Sequence, residues 1–133
     1  MSREPGTSIR LMVVDDQDLY RRGLAILIAA QDDIEVVAEA ASSAEAVEFG
    51  KAAEPDVVLL DVSLNEADGA SWPEIVAELM ASAKVLMLAS SEAEPGLQRA
   101  LVCGASGYLL KRASIEQVAG AVRAAVNAQT PLG

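Results

Sequence analysis

Short apolar runs alternate along this chain with longer segments in which apolar residues recur every three or four positions. The runs are rich in valine, isoleucine and leucine, which predicts β-strands, whereas the longer segments predict amphipathic helices. The run at residues 57–60 has no polar residue at alternate positions, so we expect a strand buried on both faces of a parallel sheet. The predicted strands span residues 9–14, 34–38, 56–61, 84–88 and 107–110.

Helix starts are marked by serines that have a glutamate or glutamine three positions later, the spacing of a capping box. These serines are Ser42, Ser71, Ser91 and Ser114. A further helix is predicted from Asp18, with Arg21 outside its buried face. The face expected to be buried consists of Leu19, Gly23, Leu27 and Ala30. The single cysteine, Cys103, lies in an apolar segment and is expected in the core.

Strands that alternate with helices predict an α/β fold, because right-handed crossover connections place helices on both faces of a parallel sheet. Five strands and five helices give one doubly wound domain. We expect residues 1–8 to form an N-terminal lead, residues 9–128 the domain, and residues 129–133 a tail or the start of a linker.

Composition narrows the possible functions. A net charge of −10, from 20 acidic and 10 basic residues, argues against nucleic-acid binding by this chain itself, which needs clustered lysine and arginine. Histidine is absent, which removes Ser-His and Cys-His nucleophile pairs. The apolar stretches are too short for a membrane span, and residues 1–8 lack the pattern of a secretory signal. We therefore expect a cytoplasmic protein without direct contact with DNA or membrane.

Four charged residues lie at the carboxyl ends of the first, third and fifth predicted strands. They are Asp15, Asp16, Asp61 and Lys111. Because the carboxyl ends of parallel strands meet at one edge, we expect these side chains to share a pocket. Carboxylates without histidine or cysteine suit a hard cation such as Mg²⁺, and lysine supplies a point charge for phosphate oxygens. The pattern predicts a phosphoryl pocket with Asp61 as nucleophile. Taken singly, each acid has a plainer explanation as a helix or turn cap.

Four segments near these strand ends carry a family resemblance. They are residues 13–16, 59–61, 68–69 and 104–111. Through them the chain resembles the receiver domain of bacterial two-component response regulators. Because Arg112 and not proline follows Lys111, it is most similar to the NarL/FixJ (LuxR-type) subfamily, whose receivers precede a helix-turn-helix DNA-binding domain. The resemblance implies a flavodoxin-like, CheY-like sheet in the order 2-1-3-4-5 flanked by five helices.

The resemblance also implies roles for individual residues. Asp61 matches the phosphoacceptor, Lys111 the lysine that contacts phosphoryl oxygens, and Tyr108 an aromatic switch residue. The implied Mg²⁺ ligands are Asp15, Asp16, Asp61 and the backbone carbonyl of Ser63. The implied phosphodonor is a sensor histidine kinase, and the domain is no enzyme, although it assists its own phosphorylation and dephosphorylation. Its output is expected to be a change of partner, such as homodimerisation through the helices from Ser91 and Ser114, with DNA reached only through an output domain.

Ala89 departs from the family pattern. The family normally carries a threonine or serine there, whose hydroxyl hydrogen-bonds the phosphoryl group, and a methyl group cannot replace that bond. Loss of a charge-assisted hydrogen bond forfeits about 1.5–3 kcal/mol. We therefore expect phosphorylation to survive while its coupling to Tyr108 is weakened. Asn65, where the family usually has proline, is expected to loosen the loop after Asp61.

Two other functions are compatible with parts of the sequence. A degenerate receiver would keep the fold as a phosphate-independent interaction module, which only Ala89 suggests. A small Mg²⁺-dependent phosphatase with an aspartyl nucleophile would need a second acid two residues after Asp61, where this chain has Ser63.

Overall fold

The sheet of this protein has five parallel strands in the order β2-β1-β3-β4-β5, as seen in a computed structural model that describes residues 8–64, 78–79 and 81–127. The strands are β1 (Ile9–Val14), β2 (Ile34–Ala40), β3 (Val57–Asp61), β4 (Lys84–Ala89) and β5 (Gly107–Leu110). The predicted strands, the parallel pairing and the strand order are all confirmed.

Four complete helices lie in the described part of the chain. They are α1 (Asp18–Ala29), α2 (Ser43–Ala53), α3 (Leu97–Val102) and α4 (Ile115–Asn127). The fifth predicted helix, from Ser71 to about Ser82, lies mostly outside the described residues, of which only Glu78 and Leu79 are helical. The predictions for Asn65, the 68–69 segment and the tail at 129–133 also lie outside them. None of the described helices is long and apolar enough to cross a lipid bilayer.

Two of the predicted serine caps form, and the one at Ser114 is a complete capping box, since the Ser114 N–H donates back to Gln117 Oε1 at 2.9 Å. The Ser42 hydroxyl accepts a hydrogen bond from the Glu45 N–H at 3.2 Å, and the Ser114 hydroxyl accepts one from the Gln117 N–H at 3.1 Å. The box predicted at Ser91 is wrong, because α3 begins six residues later, at Leu97. Its N-cap is Gly96 with a φ of 93°, a left-handed conformation that prevents the helix from extending further back.

Apolar side chains fill the space on both faces of the sheet, and β3 is buried along its whole length. In α1, the buried face is Leu24, Ala25 and Ile28. The predicted face is wrong, because Leu19 and Leu27 are 90% and 58% exposed. The helix carries apolar residues on two faces, so spacing alone did not determine which one meets the sheet. Cys103 is exposed and not in the core, because it lies in the turn that ends α3.

The register of the sheet decides what its carboxyl edge presents. Val14 pairs with Leu60, so the residues that follow β1 lie beside the end of β3. On the other side, Ala89 pairs with Leu110, and the Lys111 N–H donates to the Ala89 carbonyl at 2.8 Å. The ends of β1, β3 and β5 therefore lie along one edge.

Candidate functional site

Three carboxylates meet at the carboxyl edge of the sheet. Asp15, Asp16 and Asp61 each present an oxygen, and these atoms all lie within 4.8 Å of one another. Asp15 and Asp61 are fully buried, whereas Asp16 is exposed. The structure therefore brings together acids that are 45 and 46 positions apart in the sequence. The cluster is accessible to solvent on the side where Asp16 lies.

Lys111 is the cation of this cluster. Its Nζ lies 2.8 Å from Asp15 Oδ2 and 3.4 Å from Asp61 Oδ1, and only 14% of its side chain is exposed. The ammonium also donates to Gln17 Oε1 at 2.7 Å and lies 4.8 Å from the centre of the Tyr20 ring. Lys111 is thus held between two acids, an amide and an aromatic face.

Gln17 and Tyr20 were not predicted as site residues. Gln17 links both ends of the cluster, since its backbone N–H donates to Asp15 Oδ1 at 2.8 Å while its side chain accepts from Lys111. Tyr20 is partly buried, and this burial together with the charges of Asp15 and Asp61 raises the pKa of its phenol to about 12. Their only sequence signal is their position within four residues of the acid pair, and this does not reveal which face of α1 is turned toward the acids.

Among the acids that the structure describes, Asp61 has the pKa that is most clearly raised. Burial, and next the charge of Asp15, raise the pKa of Asp61 to about 6, while Ser63 and Lys111 oppose the rise. The Ser63 N–H donates to Asp61 Oδ1 at 3.1 Å, and its hydroxyl lies 3.1 and 3.2 Å from the two carboxylate oxygens. Asp61 is therefore a desolvated carboxylate that an additional cation would stabilise in its charged form.

This perturbation makes the stability of the metal-free chain depend on pH. Between the ordinary pKa of 3.8 and the folded value of about 6, the folded state holds a proton that the unfolded state has released. The stabilising contribution is present at low pH and is lost as pH rises through 6. We expect the free energy of unfolding of the original chain to increase between pH 7 and pH 5. This increase should exceed the corresponding change in Asp61→Asn by about 1 kcal/mol. Urea denaturation in EDTA measures this, and parallel pH profiles for the two proteins would contradict it.

The donor set fits a hard divalent cation. All three acids offer oxygen, and no histidine or cysteine accompanies them in the described part of the chain. The buried Asp15 Oδ2 accepts no hydrogen bond of good geometry from the described residues, despite the nearby Lys111 ammonium. A buried oxygen with spare acceptor capacity beside two further carboxylates is what a magnesium ligand requires.

Two further predicted site residues, Ala89 and Tyr108, lie on β4 and β5. Ala89 is fully buried at the end of β4, where its methyl group belongs to an apolar cluster. Ser90, the next residue, is exposed and β4 has already ended there. Tyr108 is 40% exposed, and its hydroxyl donates to Glu92 Oε2 at 2.9 Å. Tyr108 therefore points outward, toward the loop that precedes α3.

Comparisons with known protein families and with individual proteins point to the same family. The profile of the family described as "Response regulator receiver domain" matches residues 11–123. The transcriptional regulatory protein LnrK of Bacillus subtilis (strain 168) is 38% identical over 114 residues, which cover 86% of this chain and 52% of LnrK. The chain thus spans about half the length of this curated relative.

Solved structures agree with this result. The signal receiver domain of the putative response regulator NarL from Mycobacterium tuberculosis superimposes with a TM-score of 0.82 at 28% identity, covering 92% of this chain and 99% of that one. A DNA-binding response regulator of the LuxR family from Staphylococcus aureus gives a TM-score of 0.78 at 26% identity, covering 90% and 99% of the two chains.

Proposed function

Because this chain belongs to the response regulator receiver domain family, we propose that Asp61 accepts a phosphoryl group from a phosphohistidine of a sensor histidine kinase. The phosphoryl group then changes the surface that the domain offers to its partners. A receiver domain is a phosphoacceptor and not an enzyme with a turnover substrate of its own. The proposed Mg²⁺ ligands are Asp15, Asp16, Asp61 and the backbone carbonyl of Ser63.

One observation carries this proposal: a lysine lies within 3.4 Å of a buried carboxylate that closes a central strand. Burial of such an acid costs free energy unless charged partners compensate it. Lys111 is such a partner, whereas Asp15 and Asp16 add negative charge beside Asp61, so the cluster still lacks the positive charge that a bound cation would supply. If this edge of the sheet served only to stabilise the fold, apolar residues could be buried at the end of β3 and no cluster of charged side chains would be needed.

In the proposed transfer, a carboxylate oxygen of Asp61 attacks the phosphorus while the phosphorus–nitrogen bond of the donor breaks and its electron pair returns to the imidazole. The Lys111 ammonium contacts the phosphoryl oxygens and offsets their charge. Bound Mg²⁺ would supply further charge neutralisation. Gln17 and Tyr20 keep the lysine in place, so that it needs little rearrangement when the phosphoryl group arrives.

Incubation with acetyl phosphate tests this function directly. We expect one phosphate adduct per chain by intact mass measurement with Mg²⁺ and none with EDTA. The degenerate receiver, our second candidate because of Ala89, predicts no adduct under either condition. Turnover of a generic aryl phosphate would instead favour a phosphatase.

Replacement of Ala89 by threonine tests how the phosphoryl group is coupled to the surface. A hydroxyl at this position would regain a hydrogen bond worth about 1.5–3 kcal/mol, so we expect phosphorylation to strengthen dimerisation about tenfold more than in the original chain. Analytical ultracentrifugation of phosphorylated and unphosphorylated protein measures this. Ser90→Ala, which alters the exposed neighbour, is expected to change nothing. Equal dimerisation in Ala89→Thr and the original chain would refute the weakened coupling.

The wider assignments are part of the same proposal. We assign residues 9–128 to the receiver and residues 129–133 to a tail or the start of a linker to a DNA-binding output domain. The greater length of LnrK supports this assignment, as does the description of the Staphylococcus aureus relative as a DNA-binding response regulator. The whole protein would act in the cytoplasm and control transcription. Its partners would be a histidine kinase and a second copy of itself. The exposed large apolar side chains include Leu19 and Leu27 on α1 and Val102 on α3, so candidate dimer faces include α1 besides the two helices predicted earlier.

A further inference from the structure

Arg21 is a largely buried cation that contacts the backbone of the acid pair. It lies on α1, and only 12% of its side chain is exposed, although the sequence pattern placed it outside the buried face. Its guanidinium has three partners, which lie in the loop after β1, on β2 and on α1 itself. Nη1 donates to the backbone carbonyl of Asp15 at 2.7 Å, Nε lies 3.2 Å from Glu39 Oε1 on β2, and Nη2 lies 2.8 Å from Asp18 Oδ1. Arg21 therefore ties the loop after β1 to both β2 and α1.

The carbonyl that Arg21 holds belongs to the peptide bond between Asp15 and Asp16. Because a peptide unit is planar, fixing that oxygen also fixes the direction in which the Asp16 nitrogen and Cα leave the loop. Asp15 has its own restraints, since its side chain is buried and contacts Lys111 and the Gln17 N–H. Asp16 is exposed, so its orientation depends more on the backbone that carries it.

We propose that Arg21 is a positioning residue for the magnesium site, acting through the backbone of the Asp15–Asp16 loop. This inference rests on the proposed function, because it assumes that Asp16 is a ligand. Magnesium demands near-octahedral geometry, so a small rotation of one carboxylate lowers affinity. Partners that orient metal ligands typically account for 10–100-fold in affinity.

Arg22 provides a matched control. Its Nη1 contacts the other carboxylate oxygen of Glu39 at 2.5 Å, so it shares one partner with Arg21. However, 60% of its side chain is exposed, and within the described ranges it contacts neither Asp15 nor Asp16. Arg21→Gln and Arg22→Gln remove the same charge one residue apart, and only the first releases the carbonyl.

The test is titration of the whole 133-residue chain with MgCl₂, in which backbone amide chemical shifts in NMR spectra report the binding. We expect Arg21→Gln to raise the Mg²⁺ dissociation constant about tenfold and Arg22→Gln to leave it within about twofold. Arg21→Lys should fold but bind Mg²⁺ at least about threefold more weakly, because an ammonium on a flexible stem cannot span the carbonyl and Glu39 as a planar guanidinium does. Melting temperatures of the metal-free variants are recorded in parallel.

The outcomes separate the inference from the proposed function. Original affinity in both Arg21 variants, even with a lowered melting temperature, would make Arg21 a purely structural residue and overturn the inference. If Arg21→Gln does not fold, Arg21→Lys alone decides in the same way. Absence of Mg²⁺ binding by the original chain would instead refute the proposed function, on which this inference depends.

Discussion

Replacing Lys111 with methionine is expected to lower the free energy of unfolding of the metal-free chain by about 3 kcal/mol at neutral pH. The substitution keeps most of the apolar stem and removes the charge that lies 2.8 Å from Asp15 and 3.4 Å from Asp61. Both acids are then buried without a cation, and removal of one partner of a buried ion pair typically costs about 3–5 kcal/mol. The low end applies because Asp61, whose pKa is already raised to about 6, can take up a proton. Urea denaturation in EDTA measures the loss.

Lys51→Met is the control for Lys111→Met. Lys51 pairs with Glu78 at 3.0 Å, but 71% of its side chain is exposed, and such surface pairs contribute at most about 1 kcal/mol. Mg²⁺ should restore part of the stability of Lys111→Met, because a divalent cation replaces the missing charge, and should not affect the cost of Lys51→Met. Equal destabilisation by the two substitutions would mean that the ion cluster has no special energetic role.

Asp16→Asn is expected to weaken Mg²⁺ binding at least about tenfold, with little change in the stability of the metal-free chain. Asp16 is exposed, so neutralising it removes no buried contact, but it takes a charged ligand from the three-acid cluster. Asp32→Asn, at another exposed position outside the cluster, controls for the change in net charge. Chemical-shift titration with MgCl₂ gives both affinities. Equal affinity in the two variants would exclude Asp16 as a ligand.

The strands were predictable because parallel strands buried on both faces leave a strong local signal. Continuous apolar runs are rare outside buried elements, and their acidic or basic ends identify the edge where side chains from remote positions meet. The cluster of Asp15, Asp16, Asp61 and Lys111 therefore follows from topology, without knowledge of any distance. The strand order itself came only from the family resemblance.

The orientation of α1 was not predictable, and this hid part of the site. Leu19 and Leu27 are at helical spacing as regular as that of Leu24 and Ile28, so the pattern alone gave the wrong buried face. The wrong face placed Arg21 on the outside of the helix and gave no indication that Tyr20 contacts Lys111. The start of α3 was also not predictable. The capping pattern at Ser91 indicated an earlier start, whereas the helix begins after Gly96, whose left-handed conformation depends on the path of the whole preceding loop.

The central claim is that the phosphoryl group is carried by the carboxylate at the end of β3. The most direct measurement is borohydride reduction of the chain after treatment with acetyl phosphate and Mg²⁺, followed by peptide mass mapping, because reduction converts an aspartyl acyl phosphate to homoserine. We expect homoserine at position 61 and at no other aspartate, and none in Asp61→Asn. Homoserine at Asp15 or Asp16, or none in the original chain, would contradict this account.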